Sequence, residues 1–232
     1  MKKIYILFIV FFLTITLQAQ ENPSEEKVNF TIKSGWLHST LKGKDVDFLA
    51  SNGKIKTYNS FFAGIGINNP IGKTFSLKHE IFYQNYGGKF NRVVSNQEID
   101  ADLTMHGLRI NPISPTVRFK DLHVFAGPYI NILLNSSITA VDEQGNIYKD
   151  HDIFGSEIDD QEDSHFLQNM DFGLVVGAEY YFKFDLFIGI QYSRGFAGIF
   201  DNSNVYENFG PEGPKDLKIY NQTLGVYAGY KF

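Results

Sequence analysis

The stretch that decides the fold is DFGLVVGAEYYF, at residues 171–182. Its even positions are all apolar, while its odd positions include Asp171, two glycines and Glu179. A period of two is that of a β-strand, because successive side chains of a strand point to opposite faces. The stretch is also long enough to cross a bilayer as a tilted strand, which needs roughly 9–11 residues. It therefore predicts a membrane-spanning strand with one apolar and one polar face.

The same alternation recurs along the chain and predicts eight strands. The connections after the second, fourth and sixth strands are tight, and the others are long and polar, a rhythm that is typical of outer-membrane barrels. Lipid offers no hydrogen-bond partner, so the sheet must close and the first strand should pair with the last. We expect an all-β fold, an eight-stranded antiparallel up-and-down transmembrane β-barrel. The predicted strands are 28–41, 58–69, 74–86, 102–119, 122–140, 169–182, 186–199 and 218–232.

The first residues, MKKIYILFIVFFLTITLQAQ, resemble a secretory signal peptide with a charged start, a short apolar run and a small-residue cleavage site. The alternative is a transmembrane anchor, but the apolar run is shorter than the ~20 residues that a spanning helix needs. We expect residues 1–19 to be removed, 20–27 to form a short extension and 28–232 to form the barrel.

Composition excludes several classes of protein. The chain has no cysteine, which excludes disulfides, zinc-thiolate sites and thiol catalysis. Its net charge of -5 is not that of a nucleic-acid-binding domain, so no nucleic-acid partner is expected. Aromatic residues make up 16% of the chain, which suits strands at a lipid boundary.

The alternation places both signs of charge on the inner face of the barrel. An Arg or Lys facing lipid at the bilayer midplane costs roughly 2–4 kcal/mol, so the outer face should be apolar. Side chains fill the lumen of an eight-stranded barrel, and charges there must pair. Such a network predicts either a structural plug or a narrow gated pore. Its expected members are Lys33, Lys78, Glu80, Glu179 and Lys231.

Two places fit the pattern poorly. His79 falls on the lipid face near the middle of its strand. Pro112 and Pro115 remove two hydrogen-bond donors from the fourth strand, so we expect a bulge there. The faces of that strand are therefore left unassigned.

Aromatic side chains gather near both ends of the predicted strands. The two interfaces of a membrane favour such bands, because an aromatic ring with a polar edge suits the headgroup level. The predicted interfacial anchors are Trp36, Tyr83, Tyr192, Tyr230 and Phe232.

The segment Asp142–His165 is the most acidic part of the chain. Closely spaced carboxylates suit Ca²⁺, and divalent cations also bridge acidic surfaces to lipopolysaccharide, but the spacing is not that of an EF-hand. A solvated acidic loop with no bound metal is the preferred interpretation, and the loop is the expected contact surface for a protein partner. The weak metal candidates are Asp159, Asp160, Glu162 and Asp163.

Catalysis and ligand binding were weighed as alternatives. A lipid A-modifying enzyme needs a base beside a nucleophile, and His38, Ser39, Thr40 and His165 are the suggestive residues. Adjacent strand residues point to opposite faces, which argues against a His38–Ser39 pair. A soluble lipocalin-like barrel would bury the apolar face instead of the polar one. We expect no catalytic residues and no cofactor.

Seven stretches spread over the chain carry a family resemblance. They are FTIKSGW at 30–36, KHEIFYQNYG at 78–87, RINPISPTVRF at 109–119, HVFAGPYINILL at 123–134, DFGLVVGAEYYF at 171–182, LFIGIQYSRGF at 186–196 and the final GYKF. With them the sequence resembles the PorT-like outer-membrane β-barrel family of Bacteroidetes, an OmpA/OmpX-type eight-stranded barrel. The resemblance implies a location in the outer membrane, contact with membrane lipids and lipopolysaccharide, and recognition of the aromatic last strand by the barrel-assembly machinery. It brings no catalytic residues, and the family's roles range from secretion-system assembly to unknown.

Overall fold

The computed structural model describes residues 27–50, 55–94, 97–150, 167–201 and 217–232. The predicted signal peptide therefore lies outside the described residues. A short 3₁₀ helix, Val46–Phe48, follows the first strand. The strands are β1 Asn29–Gly43, β2 Ile55–Ile71, β3 Phe75–Val94, β4 Gln97–Phe119, β5 Leu122–Val141, β6 Ile147–Asp150, β7 Met170–Tyr181, β8 Leu186–Gly195 and β9 Ile219–Lys231.

Eight of the strands close into an antiparallel barrel, which confirms the predicted fold. β1 pairs with the whole length of β9, from Thr31 opposite Lys231 to Gly43 opposite Ile219. β4 pairs with β3 on one side and with β5 on the other, which completes the ring. β6 is hydrogen-bonded to β5 and adds a ninth strand outside the ring.

Within the described residues, no helix is both long and apolar enough to span a membrane.

Three tight turns join β2 to β3, β4 to β5 and β7 to β8 at one end of the barrel. Each contains a residue with a left-handed backbone, namely Gly72, Lys120 and Asp185. Such a residue lets the chain reverse within very few positions. The predicted short turns are therefore present, and they define the periplasmic end.

The predicted loop at 87–101 was wrong, because most of it is strand. β3 continues to Val94 and β4 begins at Gln97, with Phe90 paired to Ala101 across them. Gly87, Gly88 and the nearby charges look like loop residues, but Phe90, Ala101 and Leu103 are buried and carry the alternation onward. β6 likewise lies inside the predicted loop at 141–168.

Three neighbouring strands, β3, β4 and β5, are the longest, with 20, 23 and 20 residues. β2 on one side has 17 residues and β7 on the other has 12. Because the tight turns hold the strands at the periplasmic end, the surplus extends from the opposite, extracellular end. We call this part, residues 88–94, 97–104, 136–141 and 147–150, the protruding sheet.

The bulge predicted from the prolines is present in β4. The register of β3 and β4 shifts between Lys78 and Glu80, opposite Pro112. His79 is half-buried, and its Nδ1 lies 2.5 Å from the carbonyl oxygen of Pro112. A carbonyl oxygen carries no hydrogen and can only accept, so Nδ1 of His79 carries the proton and donates it. This bond explains a histidine on the lipid face, because a carbonyl freed by a bulge finds no water in a bilayer.

We expect His79→Leu to lower the free energy of unfolding by about 1–3 kcal/mol, since it removes the side-chain donor of the Pro112 carbonyl, which faces lipid instead of water. Urea unfolding in lipid vesicles, followed by tryptophan fluorescence, measures the change. The matched control is His106→Leu, also on the outer face, where the histidine bonds the Tyr83 hydroxyl at 2.5 Å and no backbone group. Equal losses in the two variants would contradict this role for His79.

Interior glycines make room for aromatic rings on the neighbouring strand. A Cβ on Gly189 would lie 2.4 Å from a ring atom of Tyr227, its cross-strand partner. A Cβ on Gly177 would lie 2.4 Å from a ring atom of Phe125, again the residue directly opposite. The narrow lumen is therefore packed with rings laid across glycines, which explains why strand interiors tolerate so many glycines.

Candidate functional site

A cluster of four buried charges lies in the periplasmic half of the lumen. The ammonium of Lys33 lies 2.6 Å from Glu80 Oε1. The ammonium of Lys78 bonds Glu179 Oε2 and lies 3.9 Å from Glu80 Oε1. We call these residues the lumen charge cluster. It is electrically neutral, and its side chains are at most 3% exposed.

Hydroxyls and aromatic rings complete the lumen charge cluster. Glu179 accepts hydrogen bonds from the Tyr227 hydroxyl at 2.9 Å and from the Tyr181 hydroxyl at 3.0 Å. The ammonium of Lys33 lies 4.5 Å from the centre of the Tyr227 ring, and that of Lys78 lies 4.4 Å from the centre of the Phe125 ring. Such cation–π contacts are strongest where water is excluded. Lys33, Lys78 and Glu179 therefore each have both an ionic and a second partner.

Lys231 does not belong to this cluster, so its predicted place there was wrong. Its ammonium lies 3.0 Å from Asp185 Oδ1, and the two side chains are 34% and 48% exposed. The physical reason is its position at the end of β9, level with the β7–β8 turn that holds Asp185. Its ammonium therefore remains in solvent at the periplasmic rim.

Arg109, from the strand whose faces were left unassigned, extends the polar interior outward. Its Nε donates to Asn111 Oδ1 at 3.2 Å, and the Asn111 amide donates to Glu80 Oε2 at 3.0 Å. Its Nη1 donates to the Ser193 hydroxyl at 2.9 Å. The bulge between Ile110 and Thr116 prevented sequence reasoning from finding it, because parity changes there. Alternation counted forward from Leu103 and Met105, which are buried, would have placed Arg109 inside.

Asp171 supplies the negative charge near Arg109. The guanidinium carbon of Arg109 lies 4.0 Å from the centre of the Tyr129 ring, and the Tyr129 hydroxyl donates to Asp171 Oδ2 at 2.9 Å. Tyr129 thus links the cation to the carboxylate. The two buried polar groups follow the lumen charge cluster toward the extracellular end.

Apolar residues fill the extracellular end of the lumen. The 3₁₀ helix after β1 and the segments before β7, after β8 and before β9 converge there. A sequence signal for this apolar group exists, because apolar residues interrupt segments that were predicted to be polar loops. We call this group the outer plug. It consists of Leu49, Ala50, Leu167, Ile199, Phe200 and Leu217, each at most 7% exposed.

The described interior is therefore filled along its length. The order from the periplasmic end is the lumen charge cluster, then Arg109 with Asp171, then the outer plug. The side chains of these groups are at most 7% exposed. The described interior is therefore packed like the core of a protein.

The predicted aromatic anchors all lie on the outer face of the barrel. Trp36 packs near His38, with ring centres 5.3 Å apart. Tyr230 and Phe232 contact each other edge to face beside the periplasmic turns. Their interfacial role stays a prediction. The exposed anchors are Trp36, Tyr83, Tyr192, Tyr230 and Phe232.

The structure separates the residues considered for catalysis. His38 faces outward, and its Nδ1 lies 2.8 Å from Asn59 Oδ1. Ser39 faces inward, where its hydroxyl donates to the Gly87 carbonyl at 3.0 Å and accepts from the Gly87 amide. The two side chains are on opposite faces and cannot act as a base and nucleophile. His165 lies outside the described residues.

The four weak metal candidates, Asp159, Asp160, Glu162 and Asp163, lie outside the described residues. No group of histidines and carboxylates with metal-binding geometry occurs in the part of the chain that the structure describes. The described start of the acidic segment is a tight turn before β6. Asp142 accepts the Asn146 side-chain amide and backbone amide, both at 2.8 Å. These bonds, chiefly that of the Asn146 side chain, hold the pKa of Asp142 below its usual value.

The outer wall of the barrel is apolar and the interior is polar in the membrane region. Ile32, Ile65 and Ile188 are at least 50% exposed, whereas Lys33 and Glu179 are almost completely buried. A lipocalin-like barrel would have the opposite faces, so that interpretation is wrong. A closed sheet with an apolar outer wall defines a transmembrane β-barrel.

The family comparison agrees with this class. The model of the outer membrane protein beta-barrel domain family matches residues 18–201. The chain therefore belongs to that family and is located in the outer membrane. No curated protein matches the chain.

The chain is similar to several solved bacterial proteins at low sequence identity. Ail, the attachment invasion locus protein of Yersinia pestis, crystallised with the heparin analogue sucrose octasulfate, is 14% identical, with 89% of this chain and 100% of Ail covered and a TM-score of 0.43. Neisserial surface protein A is 12% identical, with 89% and 100% covered and a TM-score of 0.46. OprG from Pseudomonas aeruginosa is 12% identical, with 88% and 95% covered and a TM-score of 0.33.

Proposed function

We propose that this protein is a non-catalytic, non-conducting outer-membrane barrel that presents its protruding sheet to a protein partner at the cell surface. The observation that carries the proposal is the unequal length of the strands. β3 and β5 have 20 residues each and β4 has 23, whereas a crossing needs roughly 9–11. The surplus forms an ordered surface beyond the membrane, and the barrel holds it there.

The packed lumen supports a non-conducting role. An ion entering from outside would meet the apolar outer plug, and one entering from the periplasm would meet a neutral, fully paired charge cluster. Opening a path would require both to move. The narrow channel considered from the sequence is therefore the weaker proposal.

The protruding sheet has the composition of a contact surface. Val93, Ile147 and Tyr148 are between 47% and 70% exposed on it. Aromatic and aliphatic side chains within a polar surround are typical of protein interfaces. The acidic residues at its edge, including Asp142 and Glu143, favour a basic partner surface. The described start of the acidic segment, residues 142–150, adjoins this surface, which supports the protein partner predicted for residues 142–165.

Further partners form part of the proposal. The apolar wall supports contact with membrane lipids, and lipopolysaccharide surrounds a barrel at the outer leaflet. An aromatic terminal strand supports recognition by the barrel-assembly machinery. The stretches that resemble the PorT-like family of Bacteroidetes support placing the chain within that narrower group.

The test is site-specific photo-crosslinking in intact cells. We expect a photoreactive residue at Tyr148 to give one discrete crosslinked species of constant mass. The control position is Phe184, which is similarly exposed but lies in the periplasmic β7–β8 turn. Crosslinks to lipid alone from Tyr148, or the same protein product from both positions, would contradict the proposal. Planar-bilayer recordings should show no conductance above background, and stable unitary currents would favour the channel.

A further inference from the structure

The periplasmic half of the outer wall carries a deep apolar groove. It has a volume of about 790 Å³ and crosses the outer face of β1 to β4. Phe30 and Ile32 of β1 form one side of the groove, and Ile81 and Ile110 of β3 and β4 form the other. Ile67 lies between the two sides, on β2. A barrel wall is convex as a whole, so a concave surface of this size on it is a distinct feature.

The level of the groove within the membrane determines which molecules can fill it. Its lining residues belong to the halves of the strands nearest the tight turns, where the wall faces hydrocarbon. The polar residues Thr31, Glu80 and Asn111 also border the groove, but their side chains are buried. The exposed surface of the groove is therefore mainly apolar and excludes water. Lipid acyl chains surround the wall at this level, and they are the first candidates to enter it.

The periplasmic rim beside the groove is cationic although the chain as a whole is acidic. Lys73 is exposed in the turn directly after β2, and Lys27 is exposed next to Val28, which lines the groove. The guanidinium of Arg118 donates to the Gly72 carbonyl in the same turn. The described charged side chains at this end are mostly cationic. Six are cations, Lys27, Lys73, Arg118, Lys120, Lys183 and Lys231, and two are carboxylates, Asp121 and Asp185.

We propose that the groove binds one acyl chain of an anionic phospholipid from the periplasmic leaflet. The chain lies along Ile32, Ile67 and Ile110, and the phosphate lies at the rim near Lys73 and Lys27. The apolar groove supplies affinity through buried methylene groups, and the lysines select a negative headgroup. This site is independent of the protruding sheet, which lies at the other end of the barrel.

The experiment is native mass spectrometry of the full-length protein with equal amounts of phosphatidylglycerol and phosphatidylethanolamine of the same chain length. We expect one retained lipid per protein, with phosphatidylglycerol preferred. Ile67→Trp fills the groove and should reduce the retained lipid about tenfold, because it displaces about two methylene groups. Lys73→Gln should reduce the preference for phosphatidylglycerol about fivefold and leave the total lipid bound largely unchanged.

Matched controls separate this site from general lipid contact. Ile190→Trp, on the outer face of β8, and Lys183→Gln, in the β7–β8 turn, should behave like the parent protein. Heat-modified migration in SDS gels shows that each variant is folded, and Ile65→Trp replaces Ile67→Trp if the latter fails to fold. Equal loss of lipid in Ile190→Trp and Ile67→Trp would overturn the proposal. So would a dimer that Ile67→Trp abolishes, because the groove would then hold a second copy of the chain.

Discussion

Glu179→Ala is expected to lower the free energy of unfolding by about 3–5 kcal/mol. The Glu179 carboxylate accepts hydrogen bonds from Lys78 on β3, Tyr181 on β7 and Tyr227 on β9. Its removal leaves a buried ammonium with Glu80 alone, 3.9 Å away. An uncompensated charge in a lumen closed to water accounts for most of the loss.

Equilibrium unfolding in urea with the protein in lipid vesicles measures this effect. The matched control is Asp185→Ala, which removes the carboxylate of the exposed Lys231–Asp185 pair and should cost about 0–1 kcal/mol. A double variant, Lys78→Met with Glu179→Met, should recover most of the stability, since it removes both charges together. Similar losses in Glu179→Ala and Asp185→Ala would show that the lumen charge cluster is hydrated.

Val176→Arg should destabilise the inserted barrel by about 2–4 kcal/mol, because it places a charge on the lipid face near the bilayer midplane. Val176 is in the middle of β7, and its side chain is 48% exposed on the outer wall. Its cross-strand neighbours are Ala126 and Tyr192, which offer no countercharge. The same unfolding measurement applies, together with the amount of folded protein recovered from outer membranes.

The control for Val176→Arg tests the protruding sheet as well. Thr139 lies on β5 opposite Asp102 and Lys149, beyond the membrane-spanning part of the strand. Thr139→Arg should change stability by no more than about 0.5 kcal/mol, as for most surface substitutions. A large loss at Thr139 would mean that the long strands do not leave the bilayer.

Sequence reasoning was accurate wherever strict alternation continued without interruption. Lys33, Lys78, Glu80 and Glu179 were all predicted to lie inside, and the structure brings them into contact. The rule failed where the register changed. The bulge at Pro112 concealed Arg109, and Lys231 lies too close to the strand end to reach the interior.

Sequence reasoning also failed for the segments predicted to be loops. Polar residues and glycines near 87–101 look like a connection, yet the hydrogen bonds of β3 and β4 continue through them. The apolar residues of the outer plug come from segments far apart in sequence. No local pattern indicates that Leu49 and Phe200 belong to the same cluster.

The sequence by itself determined the class of the protein and its compartment, because period-two alternation and turn spacing are local properties that lipid enforces on every strand. Tertiary structure alone decided which charges pair, how the lumen is closed and which strands rise above the membrane. Those outcomes depend on barrel closure and on cross-strand register. A one-residue shift in the pairing register of two neighbouring strands moves the side chains of one of them to the opposite face. The sequence of a single strand does not specify that register.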